Sequence, residues 1–175
     1  EQGMKPKDVC VDYGCGSLRI GIHLMNFLKP RHYWGLDVTD QFYSEALKRI
    51  DPEAIKTALP NLGVITTGSF LERTTKAKPT YLICVGVLNK VPFWELNEFF
   101  RNFMSVIGKQ TKAYLKFRTA EKSEQISLLV FAHTKEQIDH IIRSHGGLCN
   151  LCGVQKKINR EGIELYDQCW CIVQS

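Results

Sequence analysis

Two glycines, an acid just ahead of them and a second acid further on are the residues of this chain whose types and spacing can do chemistry together. Val9 to Tyr13 is a β-branched, largely apolar run, which predicts a buried strand. Gly14 and Gly16 break it, and Leu18, Ile20, Ile22, Leu24, Met25 and Leu28 follow as a helix-length apolar segment. Strand, glycine loop and helix in succession let backbone N–H groups approach a ligand at a helix N-terminus. Gly14 and Gly16 permit positive φ and remove the Cβ that would hold a ligand away. Asp37 ends a second strand-like run, Arg31 to Val38, about 20 residues beyond the loop, where an acid can accept two hydrogen bonds from a ribose diol. The alternative is an acidic cap on the next helix, a role open to Thr39 or Asp40 as well. The plain dinucleotide pattern is not met. Arg19 stands where G-x-G-x-x-G requires its third glycine, and Asp12 precedes the first.

Other reactive groups are weighed against this loop. Cys149, Cys152, Cys169 and Cys171 together offer four thiolates, enough for tetrahedral zinc. Strand geometry opposes it, because C-x-x-C in an extended strand points its thiols to opposite faces while C-x-C points both to one. No second C-x-x-C occurs, and a redox motif would need a strand-then-helix context. Cys10 and Cys84 lie in apolar runs, where a thiol acts as a small hydrophobe. The expectation is buried, reduced cysteines and no metal. His23, His32, His133, His140 and His145 show no metal-ligand spacing. Only His133, ending an irregular segment after the fifth strand, stands where it could meet a substrate, the alternative being surface or core packing.

The elements that must hold these residues follow in order. A helix from about Gln41 is stopped by Asp51-Pro52, a short one covers Glu53 to Thr57, and Gly63 to Thr67 is a third strand with a turn at Gly68-Ser69-Phe70. Pro79 to Val85 is continuously apolar, as in a strand covered on both faces. After the loop 86–92, Trp94, Leu96, Phe99, Phe100, Phe103 and Ile107 form a helical apolar face. Ala113 to Phe117 is a fifth strand, and residues 118–132 leave simple periodicity. That stretch is either an excursion over the sheet's carboxyl edge or an ordinary surface connection. Thr134 to Gln137 has capping-box form and opens a helix carrying Ile138, Ile141 and Ile142. Leu148 to Val154 and Leu165 to Val173 are the last strands, joined by a hairpin loop at Asn159 to Gly162. Alternating strands and helices argue for an α/β fold with a parallel sheet.

At 175 residues, 44% hydrophobic and 23% charged, the composition is that of one globular domain. No run of about 18 apolar residues exists, so no membrane span is expected. Seven cysteines, an odd number without a disulfide-scaffold pattern, fit a reducing, cytoplasmic setting. The net charge of +5 admits an anionic substrate or a nucleic acid without demanding either.

Asp12-Tyr13-Gly14-Cys15-Gly16 resembles the D-x-G-C-G signature of class I S-adenosylmethionine (SAM)-dependent methyltransferases, and Ser17-Leu18-Arg19, Gly21, His23 and Leu24 are similar to a bacterial-type branch. The resemblance implies a Rossmann-like, three-layer α/β/α fold, doubly wound, with a mostly parallel seven-stranded sheet and an antiparallel last strand. It implies one methyltransferase domain over 1–175, trimmed of the helices that usually precede the first strand. By resemblance, backbone at Gly14, Cys15 and Gly16 holds the methionine part of SAM, and Asp37 with Val38 the ribose edge. Asp12 fixes the loop or the ammonium group. Ser69, in place of a usual acid, and Phe70 lie at the adenine, and Val85 and Gly86 form the other wall. Lys90 stands where small-molecule members often carry a histidine. No N-P-P-Y or D-P-P-Y motif follows the fourth strand, which disfavours branches that methylate adenine N6 or glutamine. The expected acceptor is a small molecule, chosen by Asn89, Lys90, His133 and the segment 118–133. The alternatives are a nucleic-acid methyltransferase and a non-catalytic SAM-binding scaffold.

The cysteine reading is directly testable. Purified protein is expected to carry less than stoichiometric zinc and to keep its fold in a chelator. Elemental analysis giving one zinc per chain, with unfolding on Cys169→Ser, would overturn it.

Overall fold

Strand β1, Cys10–Tyr13, forms where the apolar run places it, with all four residues buried. The computed structural model to which it belongs describes residues 3–66, 68–158 and 164–175. Beside β1 run β2, Tyr33–Asp37, and β4, Tyr81–Val85, both parallel to it. Beyond β2 lies β3, Asn61–Val64, also parallel. The full sheet order is β3-β2-β1-β4-β5-β9-β8. Here β5 is Lys112–Thr119, β8 Leu148–Ile158 and β9 Glu164–Gln174. β9 pairs antiparallel with both β5 and β8, so the mostly parallel sheet with an antiparallel last strand is observed.

The chain divides into two compact units, with the division falling inside β4 and just after the first residue of β5. The first unit holds residues 1–83 and 106–112. Its helices are α1, Gly21–Phe27, α2, Gln41–Leu47, α3, Pro52–Ala58, and α4, Gly68–Lys76. Asp51 caps α3 by accepting from the Glu53 N–H, with Pro52 in the first turn. Two expectations are corrected here. The third strand sits earlier, at Asn61–Val64 rather than 63–67, and Gly68-Ser69-Phe70 is no strand-end turn but the first turn of α4. The reason is an amphipathic pattern: Phe70 and Thr74, four apart, are buried on one face, with Arg73 and Lys76 at the helix end. Thr67 lies outside the described residues.

The second unit holds 84–105 and 113–175. Two short 3-10 turns, Leu88–Lys90 and Phe93–Glu95, lead into α5, Leu96–Ser105, which buries Leu96, Phe100, Phe103 and Met104. Phe99 is half-buried, while Trp94, expected on the same face, lies ahead of the helix and is 73% exposed. β5 alternates, with Ala113, Leu115, Phe117 and Thr119 buried and the residues between them half-buried. The irregular stretch after it becomes a separate hairpin of β6, Glu124–Ser127, and β7, Val130–Ala132. Its tip is apolar and open: Leu128 is 84% exposed and Leu129 66%. A bridge between Thr119 and His133 ties the hairpin back to the end of β5.

Helix α6, Lys135–Ser144, starts as the capping signature predicts, with Thr134 Oγ1 accepting from the Gln137 N–H at 3.0 Å. The return half of that box is supplied differently. Ser123 Oγ accepts from the Thr134 N–H and donates to Gln137 Oε1, so the hairpin's entry segment closes the cap. β8 and β9 are both longer than the sequence suggested, and the expected turn at 159–162 lies outside the described residues.

Packing around Gly63 gives a stability test. A Cβ there would sit 2.4 Å from the Phe70 ring, which is buried. Gly63→Ala should therefore lower stability by about 1–3 kcal/mol through overpacking. Chemical denaturation showing an unchanged midpoint would contradict this placement of α4 on β3.

Candidate functional site

The glycine loop turns as its sequence requires. Gly14 has φ of 83° and Gly16 of 51°, and the next positive value falls on buried Leu18, at 58°. An added Cβ at Gly16 meets no atom within 4 Å, so backbone strain rather than crowding selects glycine there. The loop's donors, however, face inward. Gly14 N–H and Cys15 N–H both donate to the Leu36 carbonyl, at 2.7 and 2.9 Å. Gly16 N–H donates to Asp37 Oδ2 at 2.7 Å, while Val38 N–H donates to Asp37 Oδ1 at 2.8 Å. The expected outward-pointing cradle of N–H groups is thus replaced by a loop that Leu36 and Asp37 hold from behind. What remains for a ligand is the backbone at Gly14 and Gly16, which lack a Cβ, and the remaining lone pairs of Asp37, which is 8% exposed.

Asp12 lies deeper, at 3% exposure, on β1. Its Oδ2 accepts from the Tyr33 hydroxyl at 3.0 Å. That hydroxyl needs Gly21, since a Cβ there would stand 2.4 Å from it. Burial pushes Asp12 up to about 6, with the nearby Asp37 charge adding to the rise and the Tyr33 bond opposing it. Neither carboxylate has a cationic partner among the described residues. Burial, then Asp12, also raises the Cys10 and Cys15 thiols, and both stay protonated. The result is a buried, cation-poor pair of acids at the carboxyl ends of β1 and β2. Sequence reasoning missed Tyr33. The available signal was that a buried carboxylate needs a donor and that Tyr33 lies on the adjoining strand.

The other predicted residues of this unit separate. Val38 is 68% exposed immediately after the acid, an apolar surface at the mouth of the loop. Ser69 is exposed in the first turn of α4. Phe70 is core instead: 6% exposed, packed on Trp34 at 5.7 Å between ring centroids, with the Arg73 guanidinium 5.0 Å from its own. Its ring is spent on packing, which corrects the expectation that it lies at the adenine.

In the second unit, Val85 ends β4 half-buried and Gly86 follows at φ 75°, its N–H donating to the Lys116 carbonyl. Asn89 Oδ1 accepts from the Arg118 N–H at 2.6 Å, and Lys90 is exposed. His133 is fully buried, with Nε2 donating to the Leu88 carbonyl at 2.9 Å and the Phe93 ring edge-on at 5.4 Å. Burial lowers its pKa, opposed by backbone hydrogen bonding at Leu88 and Val91. The sequence placed His133 where it could meet a substrate or pack in the core. The structure makes it and Asn89 struts that pin the turn Leu88–Lys90 to the end of β5.

Cys10, Cys15, Cys84, Cys149, Cys169 and Cys171 are buried thiols in no disulfide, and Cys152 as a side chain lies outside the described residues. Among the described residues no cluster of three or more potential ligands can hold a metal ion. No described helix is long and apolar enough to cross a membrane.

Comparison with known proteins places the fold. No protein-family model matches the chain, and no curated protein does either. Solved structures match over nearly its whole length. Magnesium protoporphyrin IX methyltransferase from Synechocystis PCC 6803, crystallised with bound SAM, is 18% identical over 97% of this chain and 71% of its own, with a TM-score of 0.64. A SAM-dependent methyltransferase from Methanosarcina mazei is 14% identical over 97% and 92%, with a TM-score of 0.65. Another, from Clostridium acetobutylicum, is 11% identical over 95% and 83%, at 0.64. The chain has the Rossmann-like fold of class I SAM-dependent methyltransferases.

The raised Asp12 makes stability depend on pH in a defined sense. Its folded pKa, about 6, lies above the ordinary carboxylate value, so ionisation disfavours the fold. Its contribution is greatest below pH about 4 and is lost as pH rises through about 6, amounting to roughly 3 kcal/mol. Asp12→Asn should remove this loss, so the variant gains on the wild type between pH 4 and 7. Urea denaturation at several pH values giving a constant difference would contradict it.

Proposed function

We propose that the chain binds S-adenosylmethionine at the Gly14–Gly16 loop and transfers its methyl group to a small-molecule acceptor. The observation that carries this reading is the pair of buried carboxylates, Asp12 and Asp37, flanking the loop of Gly14 and Gly16 without a cation beside them. Buried charges are normally paired, and a cationic ligand at this place supplies the missing partner. The residues fit the group. Asp37 keeps two lone pairs beyond its bonds to Gly16 and Val38, enough for a ribose diol. Val38 offers an exposed apolar side chain beside it, and Ser69 an exposed hydroxyl. The likeness to solved methyltransferases supports the same reading.

When bound, SAM supplies a methyl group already activated on a sulfonium, so the protein's task is chiefly to position the acceptor. Orientation alone accounts for roughly 7–11 kcal/mol of barrier in well-placed systems. In the second unit the turn Leu88–Lys90 is rigidly held by His133 and Asn89 at the carboxyl ends of β4 and β5, where open α/β sheets bind ligands. Exposed Lys90 is a cation suited to anchoring an anionic group on the acceptor, not to taking a proton. Methyl transfer from labelled SAM across a metabolite panel identifies that acceptor.

The cofactor assignment rests on Asp37. Asp37→Ala should weaken SAM binding by about 1–3 kcal/mol, the range for a lost bond to a charged group. Gly16→Val should abolish binding by straining the loop. Thermal melting without ligand controls for folding. Calorimetric titration with unchanged affinity in both variants would place the cofactor elsewhere.

A further inference from the structure

A second concave feature lies in the first unit and has the opposite electrostatic character. An open groove of about 630 Å3 runs between the segment Ser17–Ile22 and helix α2 with the residues that follow it. Its walls include the apolar side chains of Ile22, Phe42 and Ile50, with Phe42 54% exposed. Two guanidiniums, Arg19 and Arg49, and the Ser17 hydroxyl also line it. Neither arginine is in an ion pair or side-chain hydrogen bond among the described residues. The acid on the groove, Glu45, is already bound to Lys48 at 2.5 Å. Two unpaired cations therefore face one neutralised carboxylate.

The backbone helps to set this arrangement. Leu18 adopts φ of 58°, costly for a leucine, and is 1% exposed, so the turn drives Leu18 into the core and leaves Arg19 exposed at the groove. We propose that this groove binds a small organic anion, a phosphate or carboxylate carried on an apolar or aromatic body. The guanidiniums take the oxyanion, for which their planar forks are matched, and Phe42, Ile22 and Ile50 take the body. The same charges oppose a sulfonium, so this site is distinct in chemistry from the proposed cofactor loop and does not depend on that assignment.

The test uses 1-naphthyl phosphate as probe against the whole chain, with 1-naphthol and inorganic phosphate as the two half-ligands, followed by calorimetry. The aryl phosphate should bind at least tenfold more tightly than either half-ligand. Arg49→Ala and Arg19→Ala should each weaken it tenfold or more, and Phe42→Ala severalfold, with unchanged melting because all three side chains are exposed. Equal binding of 1-naphthol would remove the anion site, and equal binding of inorganic phosphate would remove the apolar one. Affinity unmoved by both arginine substitutions would overturn the proposal, whatever SAM does at the glycine loop.

Discussion

The hydrogen bond from the Gly16 N–H to the Asp37 carboxylate is the constraint on which the rest of this site depends. It joins a loop on β1 to the end of β2, and it forms only because Gly14 and Gly16 accept positive φ. Closing the loop this way brings two carboxylates together in a buried place, since Asp12 lies on the strand just before it. Taking a carboxylate out of water is costly, and the cost appears as the raised pKa of Asp12, to which the Asp37 charge adds. Tyr33 offsets part of it with one hydrogen bond, and Gly21 exists at its position so that the Tyr33 hydroxyl can reach. An amide or an apolar residue at Asp12 would avoid that cost, and on the function proposed above a positively charged ligand offsets it.

The second unit fixes a loop at the carboxyl ends of β4 and β5. Asn89 and His133 spend their polar atoms on backbone of Arg118 and Leu88, and the Ser123–Gln137 bond closes the cap of α6. These bonds tie the turn after β4, the end of β5 and the base of the β6–β7 hairpin into one support. The groups left exposed there, Lys90 and the Leu128-Leu129 tip, are then free to differ in chemistry without loosening it.

How much of this was legible beforehand depends on what kind of signal each feature left. The strand, glycine loop and acid of the first unit were readable because each has a local physical requirement: apolar β-branched residues, absent Cβ atoms, a polar strand end. The capping box before α6 was readable for the same reason. Helix α4 was not, because Gly68-Ser69-Phe70 also fits a turn, and only the burial of Phe70 and Thr74 against β3 decides between them. The roles of Tyr33 and His133 were hidden because they depend on contacts across strands. A histidine at the end of a segment looks the same in sequence whether it faces solvent or a carbonyl. The inward turn of the loop's N–H groups was likewise invisible, since glycine spacing states which backbone angles are allowed and not which way the donors point.

The central claim is that the buried acids await a cationic ligand, and proton linkage tests it most directly. Calorimetric titration of SAM near pH 6, in two buffers of different ionisation enthalpy, counts the protons exchanged on binding. If the ligand's positive charge settles beside Asp12, binding lowers the pKa of that carboxylate and releases a fraction of a proton. The release should disappear in Asp12→Asn. Binding without proton release in the wild type, or the same release in the variant, would contradict the account.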